Sequence, residues 1–143
     1  MLQLICKYVD NKIGISLEIG VTNKRQAILD LIQNSSQPLN PGQIFEDVKS
    51  KMNLTTVYRG LQYLEEEKYI SSFVFYCENR GMERYYASKN LAHAHYMHCR
   101  KCHSFFPVSY CPLDNTFKQQ KEINGFLVEE HTISFKGLCK SCR

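Results

Sequence analysis

In the first half of the chain, apolar residues recur every three to four positions, which is the period of amphipathic helices. They fall into three groups, whose members are Ala27, Ile28, Leu31 and Ile32, then Ile44, Phe45, Val48 and Met52, then Val57, Leu61 and Leu64. Thr22 or Asn23 would cap the first helix, and Asn40 with Gln43 would form a capping box on the second. The pattern predicts three short helices, the third over residues 54–67.

The next apolar run is rich in aromatic and β-branched side chains, which indicates strands rather than helices. Residues 69–76 and 82–86 have this character, and a turn-like segment that ends in Gly81 lies between them. They predict a β-hairpin. Three helices followed by a hairpin predict a winged helix-turn-helix, and one more short amphipathic helix is expected over residues 2–13.

The outward face of the third predicted helix carries side chains suited to reading DNA. These residues are Thr55, Thr56, Tyr58, Arg59 and Gln62. Arginine and glutamine form paired hydrogen bonds to guanine and adenine edges, and tyrosine and threonine reach phosphates or a thymine methyl group. Because a solvated face usually carries more Glu and Lys, we favour DNA reading over the alternative, the exposed face of an interaction domain.

The C-terminal half mixes short strands with one helix, so the fold class is α+β throughout. We expect strands at residues 95–99, 105–108 and 126–135, and a helix at residues 113–123. An exposed face of these strands would suit dimerisation. The expected organisation is a winged-helix domain at residues 1–87, a hinge at 88–92 and a metal-binding dimerisation domain at 93–143.

Composition and charge narrow the class of protein. The 143 residues suit one domain or two small ones, and a hydrophobic content of 43% is enough for a core. The net charge of +4 is only weakly basic, so charge alone does not predict nucleic-acid binding. Seven cysteines without a signal-like N-terminus indicate a reducing compartment, which we take to be the cytoplasm. The first residues contain no long apolar run, so no membrane span is expected.

Four of the cysteines form two pairs with the spacing of a metal site. Cys99 and Cys102 make the first pair, and Cys139 and Cys142 make the second. Two intervening residues let the backbone curl until both sulfurs of a pair face one point, and four thiolates at tetrahedral corners suit structural zinc. The alternatives are a redox dithiol, which needs only one pair, and free cysteines in a core.

A zinc-dependent enzyme is not expected, and neither is a small-molecule substrate. The sequence has no His-Glu-x-x-His motif and no deaminase-like His-x-Glu with a following cysteine pair. Four thiolates also fill the coordination sphere of zinc, which leaves no position for a reactive water.

Three segments, in this order, resemble the ferric uptake regulator family. The segment Thr55-Thr-Val-Tyr-Arg-Gly-Leu-Gln-Tyr-Leu64 is similar to the recognition-helix signature of that family. His93-Ala-His95, followed by the first cysteine pair, is similar to the start of its C-terminal domain. His131-Thr-Ile-Ser-Phe-Lys-Gly-Leu-Cys139-Lys-Ser-Cys142 is similar to its closing strand and second cysteine pair. The resemblance spans the chain from about residue 21 to the end.

The resemblance implies a dimeric, metal-dependent transcriptional regulator of metal homeostasis genes, which we expect to act as a repressor. Its N-terminal domain would bind a palindromic operator in double-stranded DNA, with Tyr58 and Arg59 at the DNA and Arg25 near the backbone. Its C-terminal domain would form a homodimer and hold structural zinc in the four cysteines. A second metal near the hinge would set the angle between the DNA-binding domains.

A regulatory site that binds metal reversibly is expected to use imidazole and carboxylate ligands rather than four thiolates. The candidate ligands are His93, His95, Asp114 and His131. On a strand, His93 and His95 would project to the same face, and His131 lies on a later strand that could run nearby. Such a set accepts Zn²⁺, Fe²⁺ or Mn²⁺, and ligand type alone does not choose among them. The alternative is that these histidines are ordinary surface or core residues.

The chain departs from the family pattern at the usual interdomain metal site. The differences are Gln37-Pro38 in place of a frequent His, Pro107 near the place of a common acidic residue, and His103 in place of a usual Gly. In addition, three residues rather than two separate His95 from Cys99. These differences favour the ligand set that includes Asp114 and His131.

Several further ligand-type residues have no role in this scheme. They are Cys77, Cys111, His98 and His103, and we favour incidental roles for them, although zinc-sensing relatives sometimes recruit such a cysteine. Two other functions stay open: a peroxide or redox sensor on the same scaffold, and a zinc-stapled interaction module that does not bind DNA.

Overall fold

The computed structural model describes most of the chain after the first twenty residues, namely residues 21–89, 95–108, 110, 111, 113, 122–129 and 131–143. The helix expected over residues 2–13 lies outside these ranges, as do residues 90–92 of the expected hinge. In the described part of the chain, no helix combines the length and the apolar content needed to cross a membrane.

Three helices form the N-terminal half of the fold, as the apolar spacing predicts. Their bounds are α1 Asn23–Asn34, α2 Pro41–Val48 and α3 Leu54–Glu66. Thr22, rather than Asn23, caps α1. Asn40 and Gln43 form the predicted capping box on α2, in which each side chain accepts a hydrogen bond from the backbone of the other. Capping is predictable because it depends on residues within one helical turn.

One apolar core joins the three helices to both strands of the hairpin that follows them. The fully enclosed aliphatic side chains come from all three predicted apolar faces: Ile28, Ile32, Ile44, Val57, Leu61 and Leu64. Gly60 lets α1 and α3 approach closely, because a Cβ atom at this position would lie 2.6 Å from Ile28 Cδ1. The recognition-like helix α3 is therefore held rigidly on its inner side, while its outer side stays exposed.

A β-hairpin follows α3, as predicted. Strand β1 spans Ile70–Cys77 and strand β2 spans Gly81–Ser88, and the two are antiparallel. The first strand begins one residue later than expected, and the second strand is longer. Gly81 has a φ of +75°, a left-handed conformation that glycine adopts without strain. This conformation lets the chain turn back so that Gly81 pairs with Cys77.

The C-terminal half contains a three-stranded sheet and a smaller hairpin. Strand β3 spans His95–Cys99 and pairs antiparallel with β4, Phe105–Val108. Strands β5, Glu122–Ile123, and β6, Phe126–Leu127, pair with each other. The last strand, β7, spans Ser134–Gly137 and runs parallel to β3. The sheet order is thus β4–β3–β7, and the predicted strands β3 and β4 are confirmed.

Two expectations for the segment after β4 are wrong. The last two residues of the helix expected over 113–123 form β5 instead, and the single strand expected over 126–135 is divided between β6 and β7. Asn124 and Gly125 have φ values of 49° and 78°, which suit a tight hairpin turn. This Asn-Gly pair folds β6 back on β5 and so ends the predicted helix before residue 124. The predicted strand is interrupted further on, between Leu127 and Ser134. Residues 114–121 lie outside the described ranges.

Aromatic side chains pack the hairpin against the C-terminal sheet. We call them the aromatic cluster, and its members are Phe73, Phe75, Tyr85, Tyr96 and Phe105. The ring centroid of Phe105 lies 4.7 Å from that of Tyr85 and 5.2 Å from that of Phe75. Phe73 stacks on Tyr96 at 5.3 Å. Because β1 and β2 supply three of these rings and β3 and β4 supply two, the cluster joins the two halves of the fold.

Replacing Asn40 with Ala removes the acceptor for the Gln43 N–H at the start of α2. We expect the free energy of unfolding to fall by about 1 kcal/mol, the usual cost of losing an N-cap. Urea unfolding followed by circular dichroism measures this change. Asn40→Ser is the matched control because serine keeps an acceptor oxygen, and an equal loss in both variants would contradict the assigned cap.

Candidate metal centres

The four paired cysteines meet at one end of the C-terminal sheet. Cys99 is the last residue of β3, and Cys102 lies in the turn that follows. Strand β7 runs parallel to β3 with Gly137 opposite Cys99, so the chain leaving β7 reaches the same end of the sheet. This pairing brings Cys139 and Cys142 to the first pair, and the four sulfurs lie within 4.8 Å of one another.

The geometry of this four-cysteine cluster fits a zinc ion. Cys102 Sγ and Cys139 Sγ are 3.8 Å apart. A tetrahedron of thiolates around zinc, with Zn–S bonds of about 2.3 Å, has edges of about 3.8 Å. The His103 N–H donates to Cys99 O, and the Cys142 N–H donates to Cys139 O, which curls each pair around a common centre. The cluster is therefore suited to structural zinc with all four positions filled by sulfur.

The protonation of the thiols indicates why this cluster needs a cation. Backbone N–H groups of Cys102 and Cys139 lower the pKa of the Cys99 thiol to about 5. By contrast, contact with the Cys139 thiol, together with burial, raises the pKa of Cys142 to about 12. Adjacent thiolates disfavour a further negative charge. A divalent cation at the centre would remove this repulsion and let all four cysteines bind as thiolates.

A second group of ligands joins the start of β3 to two later segments. Its members are His95, Cys111 and His131, whose ligand atoms lie within 4.8 Å of one another. Cys111 Sγ is 3.3 Å from His131 Nε2, and the ring centroids of His95 and His131 are 5.2 Å apart. His95 is buried, whereas Cys111 and His131 are half-buried. This group could hold a metal ion that exchanges with solvent.

Two of the four residues predicted for the regulatory site belong to this second group. The structure brings His95 and His131 together, although His131 precedes β7 instead of lying on a strand. His93 and Asp114 lie outside the described residues, so their participation stays a prediction. The sequence favours an incidental role for Cys111, yet its sulfur lies beside His131. Its spacing from the histidines carries no local signal that would have identified it.

Three more ligand-type residues also meet, although the sequence favours incidental roles for all of them. Cys77, His98 and His103 form a third group whose ligand atoms lie within 4.8 Å of one another. His95 and His98 are an odd number of residues apart, so they project from opposite faces of β3 and enter different groups. Burial lowers the pKa of His98, and the electrostatic effects of His103, Lys136 and Arg80 lower it further.

The side chains predicted to read DNA lie on the outer side of α3. Those that are exposed are Thr55, Tyr58, Arg59 and Gln62. Thr56 is half-buried, and its hydroxyl donates to the Asn53 side chain that caps α3. The Arg25 guanidinium stacks over the Tyr63 ring at 3.6 Å, which positions it beside α3. Contact of these residues with DNA stays a prediction.

Comparison with known proteins identifies the family to which this chain belongs. The model of the ferric uptake regulator family matches residues 17–136. The chain belongs to this family. Among curated proteins, it is 28% identical over 129 residues to the ferric uptake regulation protein of Bacillus subtilis, covering 85% of this chain and 84% of that protein. It is 20% identical to the peroxide-responsive repressor PerR of Staphylococcus epidermidis, over 87% and 82% of the two chains.

Solved structures of ferric uptake regulators share the fold. The structure from Francisella tularensis with iron superimposes with a TM-score of 0.66 at 25% identity, covering 92% of this chain and 97% of that one. The Helicobacter pylori regulator, described as having three functional metal-binding sites, gives a TM-score of 0.65 at 22% identity over 85% and 80%. The Fur-like mixture of helices and strands is therefore established for this chain.

Replacing Cys102 with Ser removes one thiolate from the four-cysteine cluster. We expect the purified variant to lose its zinc on dialysis against a mild chelator, because a neutral hydroxyl is a poor substitute for a thiolate ligand. Elemental analysis of the dialysed protein measures the loss. Cys111→Ser, which removes a thiol outside the cluster, should retain this zinc. Equal zinc in Cys102→Ser and the unaltered chain would contradict a structural role.

Proposed function

We propose that this protein is a metal-dependent transcriptional repressor of metal homeostasis genes that acts as a homodimer on a palindromic operator. The observation that carries the proposal is the separation of its ligands into two kinds of site. One is a cluster of four thiolates that suits permanent zinc, and the other is a mixed histidine and cysteine group that suits an exchangeable ion. Membership in a family of metal-responsive regulators supports the same conclusion.

The order of three helices and a hairpin supports a winged-helix domain that reads DNA. In this proposal α3 enters the major groove with Thr55, Tyr58, Arg59 and Gln62 toward the bases and phosphates. The exposed Tyr58 and Arg59 are not engaged by the core, so they are available for contact. Thr56 and Arg25 would act at the edges, Thr56 through the helix cap and Arg25 near the DNA backbone.

An exposed apolar row on the C-terminal sheet supports the homodimer. Met97 lies opposite Phe106 in β4 and opposite Phe135 in β7, so the three side chains form a row across the sheet. They are 43%, 37% and 41% exposed, respectively. A continuous apolar row of this kind favours burial against a second copy of the same surface.

The regulatory ion is proposed to bind at His95, Cys111 and His131, with His93 and Asp114 as further ligands. A thiolate among the ligands favours zinc over Fe²⁺ or Mn²⁺, since sulfur is the softer donor. An ion that binds more tightly to the DNA-competent dimer shifts the population toward it. A differential affinity of about 5.5 kcal/mol would be needed to move the equilibrium from 1:99 to 99:1.

A peroxide-responsive regulator is the second candidate function. The similarity to PerR and the position of the Cys111 thiol, 3.3 Å from His131 Nε2, both favour it. Oxidation of this thiol or of a histidine ligand would abolish metal binding. Mass spectrometry after mild peroxide treatment distinguishes the candidates, because metal exchange without ligand oxidation would reject peroxide sensing.

Replacing Arg59 with Ala removes an exposed cation from the outer face of α3. We expect operator binding to weaken by about 1–3 kcal/mol, the usual worth of a good base contact. Electrophoretic mobility shifts at fixed salt and metal measure the change. Lys140→Ala removes the same charge between the two cysteines of the second pair and should leave affinity nearly unchanged. If both variants bind as tightly as the unaltered chain, α3 is not the reading helix.

Replacing His131 with Ala removes one ligand from the proposed regulatory site. We expect the zinc concentration at which DNA binding is half-maximal to rise at least about tenfold, because each coordinated ligand contributes substantially to affinity. Fluorescence anisotropy of labelled operator during a zinc titration measures this midpoint. Zinc at the four-cysteine cluster should be retained, and an unchanged midpoint would remove His131 from the site.

A further inference from the structure

The group formed by Cys77, His98 and His103 joins parts of the fold that are far apart in sequence. Cys77 ends β1 at the hairpin turn, His98 lies in β3, and His103 follows the first cysteine pair. Cys77 is 4% exposed and His98 is 3% exposed. Two ligand-type side chains are thus enclosed where the hairpin meets the C-terminal sheet.

Hydrogen bonding accounts for only part of this arrangement. Cys77 Sγ lies 3.3 Å from His103 Nδ1, which alone would be an ordinary thiol–imidazole contact. The His98 ring, however, lies with its centroid 5.7 Å from that of His103 and brings a third ligand atom within 4.8 Å of the other two. In a tetrahedral zinc site, sulfur and nitrogen ligands are about 3.6 Å apart. The observed sulfur–nitrogen distance is within a few tenths of an ångström of this value.

The backbone of His103 gives an independent indication that its side chain has a role. Its φ is +59°, in the left-handed region that a residue with a Cβ atom enters only with strain. The turn imposes this conformation, because the His103 N–H donates to Cys99 O at 2.9 Å. Glycine would satisfy the same turn without strain. The strained histidine instead supplies an imidazole beside Cys77, and strain of this kind clusters at functional sites.

A small cavity opens beside the three ligand atoms. Its volume of about 20 Å³ has room for one ion or one water molecule. Glu78 lines the cavity, as do Arg100 and Lys136. Lys136 Nζ lies 5.1 Å from the centre of the Phe75 ring and 5.2 Å from that of the Tyr76 ring. These aromatic faces attract the positive charge of Lys136.

We propose that Cys77, His98 and His103 bind a zinc ion that is separate from the four-cysteine cluster and from the regulatory site. The ion would be coordinated by Cys77 Sγ, His103 Nδ1 and one ring nitrogen of His98, with its fourth position open to the cavity. One thiolate and two imidazoles suit zinc, which is borderline-soft and tetrahedral, better than Fe²⁺ or Mn²⁺.

Asn79 would support this coordination from outside. Its side-chain amide lies 3.2 Å from His103 Nε2. When Nδ1 binds the metal, Nε2 carries the proton and must donate it. An amide flip, which exchanges the oxygen and nitrogen of the Asn79 side chain, presents the oxygen as the acceptor. Such hydrogen bonds orient metal-bound histidines.

Zinc at this site would fasten the hairpin turn to the C-terminal sheet beside the aromatic cluster. Because the hairpin already shares a core with α3, the ion would thereby fix α3, and hence any bound DNA, relative to the C-terminal sheet. This consequence rests on the proposed function, whereas the binding of zinc does not. The two are therefore tested by separate measurements, metal stoichiometry for the site and operator affinity for its consequence.

The test begins with the full chain, dialysed against a mild chelator so that the four-cysteine cluster keeps its zinc. Titration with Co²⁺, followed by the thiolate-to-cobalt charge-transfer absorbance, then counts the exchangeable sites that contain a cysteine. We expect two Co²⁺ ions per chain, both displaced by Zn²⁺. Cys77→Ser and Cys111→Ser should each leave one sulfur-ligated ion, and the double variant should leave none.

The His103→Gly variant distinguishes a role of His103 in metal binding from a role in folding. Glycine suits the left-handed φ at this position, so the metal-free variant should melt at least as high as the metal-free unaltered chain. Its affinity for the ion at Cys77 should nevertheless fall by more than about 100-fold. Unchanged cobalt stoichiometry and affinity in both His103→Gly and Cys77→Ser would overturn the proposal.

The outcomes also distinguish this proposal from the proposed function. Loss of one ion in Cys77→Ser, in a protein that binds no DNA, would support the site and contradict the regulator. Normal zinc-dependent operator binding, together with full metal stoichiometry in Cys77→Ser, would support the regulator and reject the site. If Cys77→Ser and Cys111→Ser each abolish the same single ion, the two groups are not separate and the proposal fails.

Discussion

The convergence of four sulfurs from two distant segments is the constraint on which the C-terminal half depends. Within the described part of the chain, strand β7 buries little side-chain surface, since Ser134, Phe135 and Lys136 are exposed and Gly137 is only half-buried. Its four residues lie at the edge of the sheet, where burial of apolar surface contributes little. A metal bound by all four cysteines would close the segment between the two cysteine pairs into a loop. It would also hold β7 in register with β3.

The same constraint positions the other features of the sheet. With β7 beside β3, the exposed row of Phe106, Met97 and Phe135 becomes continuous on one face. The opposite face presents Tyr96 and His98 to the hairpin, where the aromatic cluster packs. Alternation along β3 thus divides its side chains between an outer surface suited to a partner and an inner surface that contacts the hairpin of the N-terminal half. Loss of the metal would disturb both surfaces together.

The sequence predicted best the features that local rules determine. The helices, the Asn40 and Gln43 capping box and the first hairpin follow from spacing and from residues within one turn. The Asn124–Gly125 turn was equally local, but the helical interpretation of the preceding residues overlooked it. The cysteine pairs were recognisable because each pair is short and regular, even though their meeting depends on tertiary structure.

The histidine and cysteine groups were harder to predict because they are formed by contacts between segments far apart in the chain. Cys111 meets His131, and Cys77 meets His103, without any spacing that a local rule could detect. One signal was present in part: His95 and His98 differ by an odd number of residues, which sends them to opposite faces of a strand. This odd spacing predicts that the two histidines belong to separate ligand groups, but it does not identify the other members of either group.

Zinc K-edge X-ray absorption on the full chain, after exchangeable ions have been removed by mild chelation, shows directly whether the four cysteines bind one zinc ion. We expect one zinc per chain surrounded by four sulfur atoms at about 2.3 Å, with no nitrogen or oxygen in the coordination shell. A shell that contains nitrogen or oxygen at about 2.0–2.1 Å, or a chain that retains no zinc, would contradict it.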